Sequence, residues 1–192
     1  GGNAGDAAVA VSFALGVTRP YSTGMGGGGF MLLYRADGTI IAQDFRETAP
    51  GSARGDFYVQ FKAAHPSRPN PSEFGLTAAA TPGLVAGRCQ ALAQWGTMPR
   101  DRVLAAAIRI ANEGFPIDAD HVKHVREALA EYEKHPSLQE SCGFVYRTYL
   151  GGGTPPAVGD VLKQPGLGRL LEAIAIQGPD ILYKGDVARA IG

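Results

Sequence analysis

The order of apolar and polar residues predicts a helix at the front of the chain. Ala7 to Leu15 is a run of small and apolar residues, which suits a helix packed closely against a neighbouring element. Asn3 or Asp6 precedes the run and can cap its first turn. Gly16 and Pro20 bracket its predicted end.

Two strand patterns follow, joined by a hairpin signal. Phe30 to Tyr34 and Thr39 to Phe45 are rich in apolar residues, and Asp37-Gly38 between them is typical of a tight β-turn. Both strands carry apolar residues on both faces. The pattern therefore predicts a hairpin buried on both sides, by helices or by a second sheet.

The rear of the chain has helical patterns separated by glycine and proline. An irregular stretch is predicted from Pro50 to about Phe74 and a loop-rich one from Gly143 to Gly168. We predict helices over Leu84–Trp95, Arg102–Asn112, Asp118–Lys134 and Leu170–Ile176. The chain is thus predicted to be α/β, with a glycine-loop and sheet segment over residues 1–76 and a mainly helical segment over 77–192.

Composition narrows the class of partner. The 192 residues hold 18 Lys and Arg against 18 Asp and Glu, so the formal net charge is zero. Without a basic run, nothing in the charge pattern indicates nucleic acid or an anionic membrane as a partner. No apolar run approaches the length of a membrane span. Cys89 and Cys142 form no zinc motif, and their pairing stays open. The chain starts without Met, and we expect it to be a fragment or a processed piece.

The run Gly24 to Gly29 contains the G-x-G-x-x-G pattern, but in the wrong context for a dinucleotide site. That site needs a strand before the glycines and a helix after them, whereas here a helix precedes and a strand follows. We therefore interpret the glycines as positions of close backbone packing beside an active centre. No nucleotide or other cofactor is predicted.

Two histidines invite a metal hypothesis. His121 and His124 lie three residues apart on a predicted helix and could share a face with Glu127 and Glu131. The charged residues around them favour a solvated helix face instead, so no metal site is predicted. A serine nucleophile of the G-x-S-x-G type is absent from the sequence, and Cys142 has no evident base partner.

Arg46 is the strongest candidate for ligand binding. It directly follows an apolar strand and lies near the glycine run in the chain, a rigid position from which to direct one group at a ligand. A guanidinium is planar and permanently charged, and it can hold a carboxylate with two parallel hydrogen bonds. The alternative is an ordinary surface ion pair.

These residues resemble the gamma-glutamyltranspeptidase family. The resemblance covers nearly the whole chain, in blocks that occur in the family's order. They are Gly2 to Ala10, Gly26 to Leu32, Asp44 to Pro50, Thr81 to Gly87, Gly96 to Pro99 and Gly178 to Gly185.

The resemblance implies a self-cleaving zymogen, an N-terminal-nucleophile hydrolase with an αββα sandwich. Such enzymes move the gamma-glutamyl group of glutathione and related amides to water or an amino acid, and so serve glutathione catabolism. The acyl-enzyme forms on the N-terminal Thr of a small subunit cut from the same precursor. Arg46 matches the arginine that binds the donor's α-carboxylate, and Glu47 matches the acidic residue beside it. A periplasmic, secreted or membrane-anchored location is implied as well.

The processing signal of the family, Thr followed by Thr or Ser and then His, does not occur in these 192 residues. The chain therefore matches the front of the large subunit, without the nucleophile, and we expect it to be inert alone. Two alternatives stay open. One is a related acylase of the cephalosporin or poly-gamma-glutamate type, and the other is a non-catalytic protein that binds gamma-glutamyl compounds.

Overall fold

A computed structural model describes residues 1–191 and divides them into two compact units. Among the described residues, unit 1 comprises 1–48, 82–115 and 161–191, and unit 2 comprises 49–81 and 116–160. Helices and strands are mixed along the chain, in agreement with the predicted α/β class. No helix within residues 1–191 is long and apolar enough to cross a membrane.

Unit 1 contains the predicted hairpin. The helices and strands of this unit are α1 Ala4–Thr18, β1 Phe30–Tyr34, β2 Ile40–Asp44, α3 Leu84–Trp95, α4 Arg100–Glu113, β4 Val161–Leu162, α8 Pro165–Gln177, α9 Asp180–Tyr183 and α10 Asp186–Ile191. Strands β1 and β2 pair antiparallel, with Phe30 opposite Asp44 and Tyr34 opposite Ile40. Gly38 has a φ of +84°, which is the left-handed conformation that the predicted turn requires.

Unit 2 combines one long helix, α5 (Ala119–Lys134), with several short ones. Its elements are α2 Phe57–Ala64, a 3₁₀ turn Leu76–Ala78, α5 Ala119–Lys134, α6 Ser137–Ser141, α7 Gly143–Thr148 and a 3₁₀ turn Gly151–Gly153. The two-residue strand β3, Phe115–Pro116, spans the point where the chain passes from unit 1 to unit 2. The core of unit 2 consists of Val125, Leu129, Tyr132, Leu138 and Leu150.

The core of unit 1 joins α1, α3, α4 and α8. Its fully enclosed side chains are Val9, Phe13, Val17, Val85, Leu104, Leu171 and Ile174. Both ends of α1 are tied to this core. Asp6 is buried and accepts hydrogen bonds from the backbone and hydroxyl of Thr97, while Gln164 Nε2 donates to the carbonyl of Val17 over 2.7 Å. These contacts fix the helix that precedes the glycine run.

Several sequence predictions need correction. Helix α1 is longer than the predicted run Ala7–Leu15, since it extends from Ala4 to Thr18, and its end lies between Gly16 and Pro20 as predicted. The stretch predicted to be irregular contains α2, and the one predicted to be loop-rich contains α7. Helix α8 begins at Pro165, five residues before the predicted Leu170, since proline suits the first turn of a helix.

The hairpin is buried on one face only within the described chain. Met31 and Gln43 face the core, whereas Leu32 and Ile40 on the other face are exposed. The predicted burial of both faces is therefore not provided by residues 1–191. The two cysteines are both free, with Cys89 buried in unit 1 and Cys142 half-buried in unit 2.

Candidate functional site

The candidate site forms where the glycine loop, the end of β2 and the start of α3 meet in unit 1. Phe45 and Gly29 exchange backbone hydrogen bonds of 3.0 and 3.3 Å, which extends the hairpin pairing beyond the strands. The carbonyl of Gly27 accepts from the amides of Gly83 and Leu84 at 3.0 and 2.8 Å. The loop thereby satisfies amides at the start of α3 that otherwise lack a partner within the helix.

Glycine is required at the contacts between these segments. A Cβ atom on Gly28 would lie 2.6 Å from both the Glu47 amide nitrogen and the Phe45 carbonyl oxygen. A Cβ on Gly83 would overlap the same carbonyl, and one on Gly87 would overlap the Phe45 ring. Close backbone packing, as predicted for the glycine run, is therefore confirmed at Gly28.

Phe45 anchors the segment that carries the candidate residues. Its side chain is buried against α3, and the Arg88 guanidinium lies 4.7 Å from the centre of the ring. Burial lowers the pKa of Arg88, although not far enough to discharge it near neutral pH. With the ring fixed on the inner side, the next residue, Arg46, is directed outward.

Arg46 is exposed, and three neighbours fix its position. Its backbone amide donates to Asp44 Oδ1 over 2.9 Å, and its Nε lies 3.2 Å from Glu47 Oε2. Its Cζ lies over the Phe30 ring, 5.9 Å from the ring centre. Among residues 1–191 no acceptor binds the two terminal nitrogens. Since the side chain is 62% exposed, this outer edge can take a carboxylate from solution.

Glu47 is the more sheltered partner in this pair. Its side chain is 27% exposed, and its Oε2 is buried. The oxygen stands at ion-pair distance from Arg46 Nε, yet no donor in the described chain meets hydrogen-bond geometry with it. The carboxylate therefore balances the charge of Arg46 without occupying the outer edge of the guanidinium.

The geometry brings Arg46 and Glu47 together, as the sequence predicts, on an open surface. Two cavities, of about 520 and 640 Å³, lie elsewhere and include neither residue. Cys89 is no alternative nucleophile, because burial raises the pKa of its thiol and keeps it protonated. The arrangement can hold and orient an anionic group, but it contains no activated nucleophile.

The histidine pair is not arranged as a metal site. His121 is buried, and burial lowers the pKa of its imidazole. His124 lies 3.7 Å from Asp120 and 3.2 Å from Glu127, while Glu131 pairs with Lys134. No group of three or more potential ligands converges in the part of the chain that the structure describes.

Sequence reasoning missed Phe30 and Arg88. Phe30 belongs to the predicted strand, and the signal that could have found it is the hairpin register, which sets it opposite Asp44 and two residues from Arg46. No pattern in the sequence pairs Arg88 with Phe45, because their contact depends on how α3 packs against the end of β2.

Comparison with known proteins finds similarity over the whole length of the chain. The family model for gamma-glutamyltranspeptidase matches residues 1–192. The glutathione hydrolase proenzyme of Escherichia coli (strain K12) is 40% identical over 199 residues, covering 100% of this chain and 32% of that protein. This chain thus spans about a third of the length of that relative.

Solved structures agree with the family match. Gamma-glutamyltranspeptidase from Helicobacter pylori superposes with a TM-score of 0.85 at 34% identity, over 100% of this chain and 52% of that one. Cephalosporin acylase from Bacillus halodurans superposes with a TM-score of 0.84 at 28% identity, over 99% of this chain and 34% of that one. Almost the whole of this chain is therefore similar to part of each of these two proteins.

Proposed function

The chain belongs to the gamma-glutamyltranspeptidase family, and we propose that it is the front part of the large subunit of a gamma-glutamyltransferase and glutathione hydrolase. In the complete protein, Arg46 binds the α-carboxylate of a gamma-glutamyl donor such as glutathione. The observation that carries this role is the open outer edge of an exposed guanidinium that Glu47 already holds at Nε.

Arg46 acts by binding and orienting the donor. Two parallel hydrogen bonds from its terminal nitrogens hold the α-carboxylate in one plane, which fixes the direction in which the γ-carbonyl points. The reaction takes place on a threonine outside these residues, at the N-terminus of the small subunit. That threonine attacks the γ-carbonyl, the amine leaves, and water or an amino acid then takes the acyl group. A fixed anchor at the opposite end of the donor favours this attack by restricting its orientation.

Glu47 positions Arg46 and neutralises its charge when the donor is absent. Its buried oxygen lies beside Arg46 Nε, so the guanidinium is held from one edge and offers the opposite edge to the ligand. An ion pair that is partly withdrawn from water is screened less by salt than a surface pair. We therefore include Glu47 in the donor-binding site.

We also propose that the exposed face of the hairpin is covered by a second sheet, in the αββα sandwich of an N-terminal-nucleophile hydrolase. Leu32, Tyr34 and Ile40 are large, apolar and exposed on this face. An apolar sheet face is stable only when another layer covers it. The remainder of the same precursor, including the small subunit, is the proposed covering partner.

The location that we propose is outside the cytosol, in the periplasm, secreted, or anchored to a membrane. This rests on family resemblance alone. Fractionation of cells that express the complete protein, followed by immunodetection of this chain, tests it directly.

An acylase is the second candidate, and the similarity to cephalosporin acylase favours it. The two functions differ in the group that Arg46 would bind. A gamma-glutamyl donor carries an α-carboxylate next to its amino group, whereas a cephalosporin side chain can present a carboxylate without that amine. Turnover of matched donors with and without the α-amino group separates the two candidates.

The decisive experiment is Arg46→Ala in the complete protein, measured with gamma-glutamyl p-nitroanilide. We expect the KM for this donor to rise about tenfold to a hundredfold, because a charge-assisted bidentate contact is lost. Arg35→Ala is the matched control, since Arg35 forms only a loose surface pair with Asp37 at 3.9 Å. An unchanged donor KM in Arg46→Ala would refute the proposed role.

A further inference from the structure

Phe30 is an exposed aromatic residue in contact with Arg46. It opens β1, is 63% exposed, and lies opposite Asp44 in the hairpin register. Here the ring lies under the guanidinium of Arg46, at 5.9 Å from its centre to Cζ.

The contact complements the ion pair with Glu47. The carboxylate of Glu47 holds the guanidinium at Nε, while the aromatic ring of Phe30 provides a surface over which the guanidinium lies. An arginine side chain has many rotamers, and ordering it when a ligand binds costs free energy. A side chain held by two neighbours has lost much of this freedom before the ligand arrives.

We propose that Phe30 is a positioning residue that selects donors with an α-carboxylate by holding Arg46 in its binding orientation. This inference rests on the proposed role of Arg46. The ring attracts the cation through its electron-rich face and keeps water from one side of the guanidinium. Phe30 itself does not touch the reacting atoms, so its effect is on donor binding and reaches the donor only through Arg46.

Tyr34 provides a matched control on the same strand. It points to the same face of the hairpin as Phe30, four residues further on, and is 74% exposed. No contact joins it to Arg46 in the described residues. Replacing either aromatic residue by leucine removes a ring from the same sheet face, but only Phe30→Leu removes one from Arg46.

The experiment measures kcat and KM of the complete protein with gamma-glutamyl p-nitroanilide and with an analogue in which hydrogen replaces the α-carboxylate. In Phe30→Leu we expect the KM for the full donor to rise about two- to fivefold while kcat stays within twofold. The kcat/KM for the analogue should not change. The KM of Phe30→Trp for the full donor should equal that of the parent protein, because tryptophan keeps an aromatic ring at this position. The KM of Tyr34→Leu should stay within twofold of the parent value.

Three outcomes would overturn the proposal. They are an unchanged KM in Phe30→Leu, an equal loss of kcat/KM for both donors, and an equal KM increase in Tyr34→Leu. Arg46→Ala in the same series keeps the two proposals distinguishable. If Arg46→Ala raises the KM and Phe30→Leu does not, only the role of Phe30 fails. If neither changes it, the donor-binding role of Arg46 fails as well.

Discussion

The ion pair between Arg46 and Glu47 has a carboxylate that is more sheltered from water than that of a surface ion pair in the same chain. Glu47 is 27% exposed, whereas Glu113, which pairs with Arg109 on the surface of α4, is 67% exposed. Surface pairs contribute little because water competes for both charges. The sheltered position of Glu47 makes its pair with Arg46 the more effective restraint.

Glu47→Gln is expected to weaken donor binding less than loss of Arg46 does. The amide keeps the shape of the side chain but removes the charge that holds Arg46 Nε. We expect the donor KM to rise about threefold to tenfold, the range for loss of a partly sheltered charged contact. Steady-state kinetics of the complete protein measure it, with Glu113→Gln as the surface control. Equal KM values for the two variants would argue against the positioning role of Glu47.

Asp6 controls stability through hydrogen bonds that favour its charged form. Burial would raise the pKa of this carboxyl, but donors from Asn3, Thr97 and Met98 lower it to about 2. The folded pKa thus lies below the ordinary value. The stabilisation is complete above about pH 4 and is lost as the pH falls toward 2, where the folded carboxylate is protonated.

Asp6→Asn should lower the Tm by several degrees at pH 7 and flatten the dependence of Tm on pH between about 4 and 2. An amide nitrogen cannot accept the hydrogen bonds that the carboxylate accepts from Thr97 and Met98. Thermal unfolding followed by circular dichroism across this pH range measures the effect. Glu133→Gln, at an exposed position of α5, is the control, and an identical pH profile in Asp6→Asn would contradict the assignment.

At the residue scale, the sequence indicated Arg46 and Glu47 as candidates, and it did not predict which residues contact them. A guanidinium next to a strand end is visible in the sequence, because its chemistry belongs to the residue type. The contacts of Phe30 and Arg88 depend on strand register and helix packing. Those are properties of the folded chain, and no local pattern encodes them.

At the scale of the elements, helices bounded by glycine or proline were predicted best. Leu84–Trp95 matches α3 at both ends, because Pro82-Gly83 and Gly96 break the helical pattern on either side. The predicted helix Asp118–Lys134 is confirmed as α5, with Asp118 as its N-cap. Helix α2 was missed, and it is a short helix of eight residues, none of which is buried.

The glycine loop offers a test of how the elements position the site. Gly28→Ala should force the loop away from Glu47 and Phe45, because the new Cβ would stand 2.6 Å from backbone atoms of both. We expect a lower Tm together with a donor KM raised severalfold. Gly26→Ala is the matched control, since nothing lies within 4 Å of a Cβ at that position. If the two variants behave alike, the loop does not set the position of Arg46.

At the scale of the whole molecule, the prediction and the structure differ in how much of the hairpin is buried. The pattern predicted burial on both sides, and the described residues bury one. The prediction was made because both strands carry apolar residues on both faces, and such strands are usually covered on both sides. The hairpin sequence does not specify what covers that face, and the second sheet proposed above would come from elsewhere in the complete protein.

Leu32→Lys tests this layer in the complete protein. Leu32 is exposed in this chain, so a lysine there should leave unit 1 folded. In the proposed sandwich the lysine charge would lie in an apolar interface, which is costly. We therefore expect a large decrease in the yield of processed, active protein, measured by gel analysis of the subunits and by turnover. Lys62→Leu on exposed α2 controls for surface changes, and a normal yield in Leu32→Lys would contradict the sandwich.

The two free cysteines can be used to measure how often each unit of the chain opens to solvent. Cys89 is enclosed in the core of unit 1, so a thiol reagent reaches it only when that unit opens. Cys142 is half-buried in unit 2 and is open to reagent with less rearrangement. The alkylation rates of the two thiols, measured by mass spectrometry, would thus report local opening of each unit separately, without an added probe.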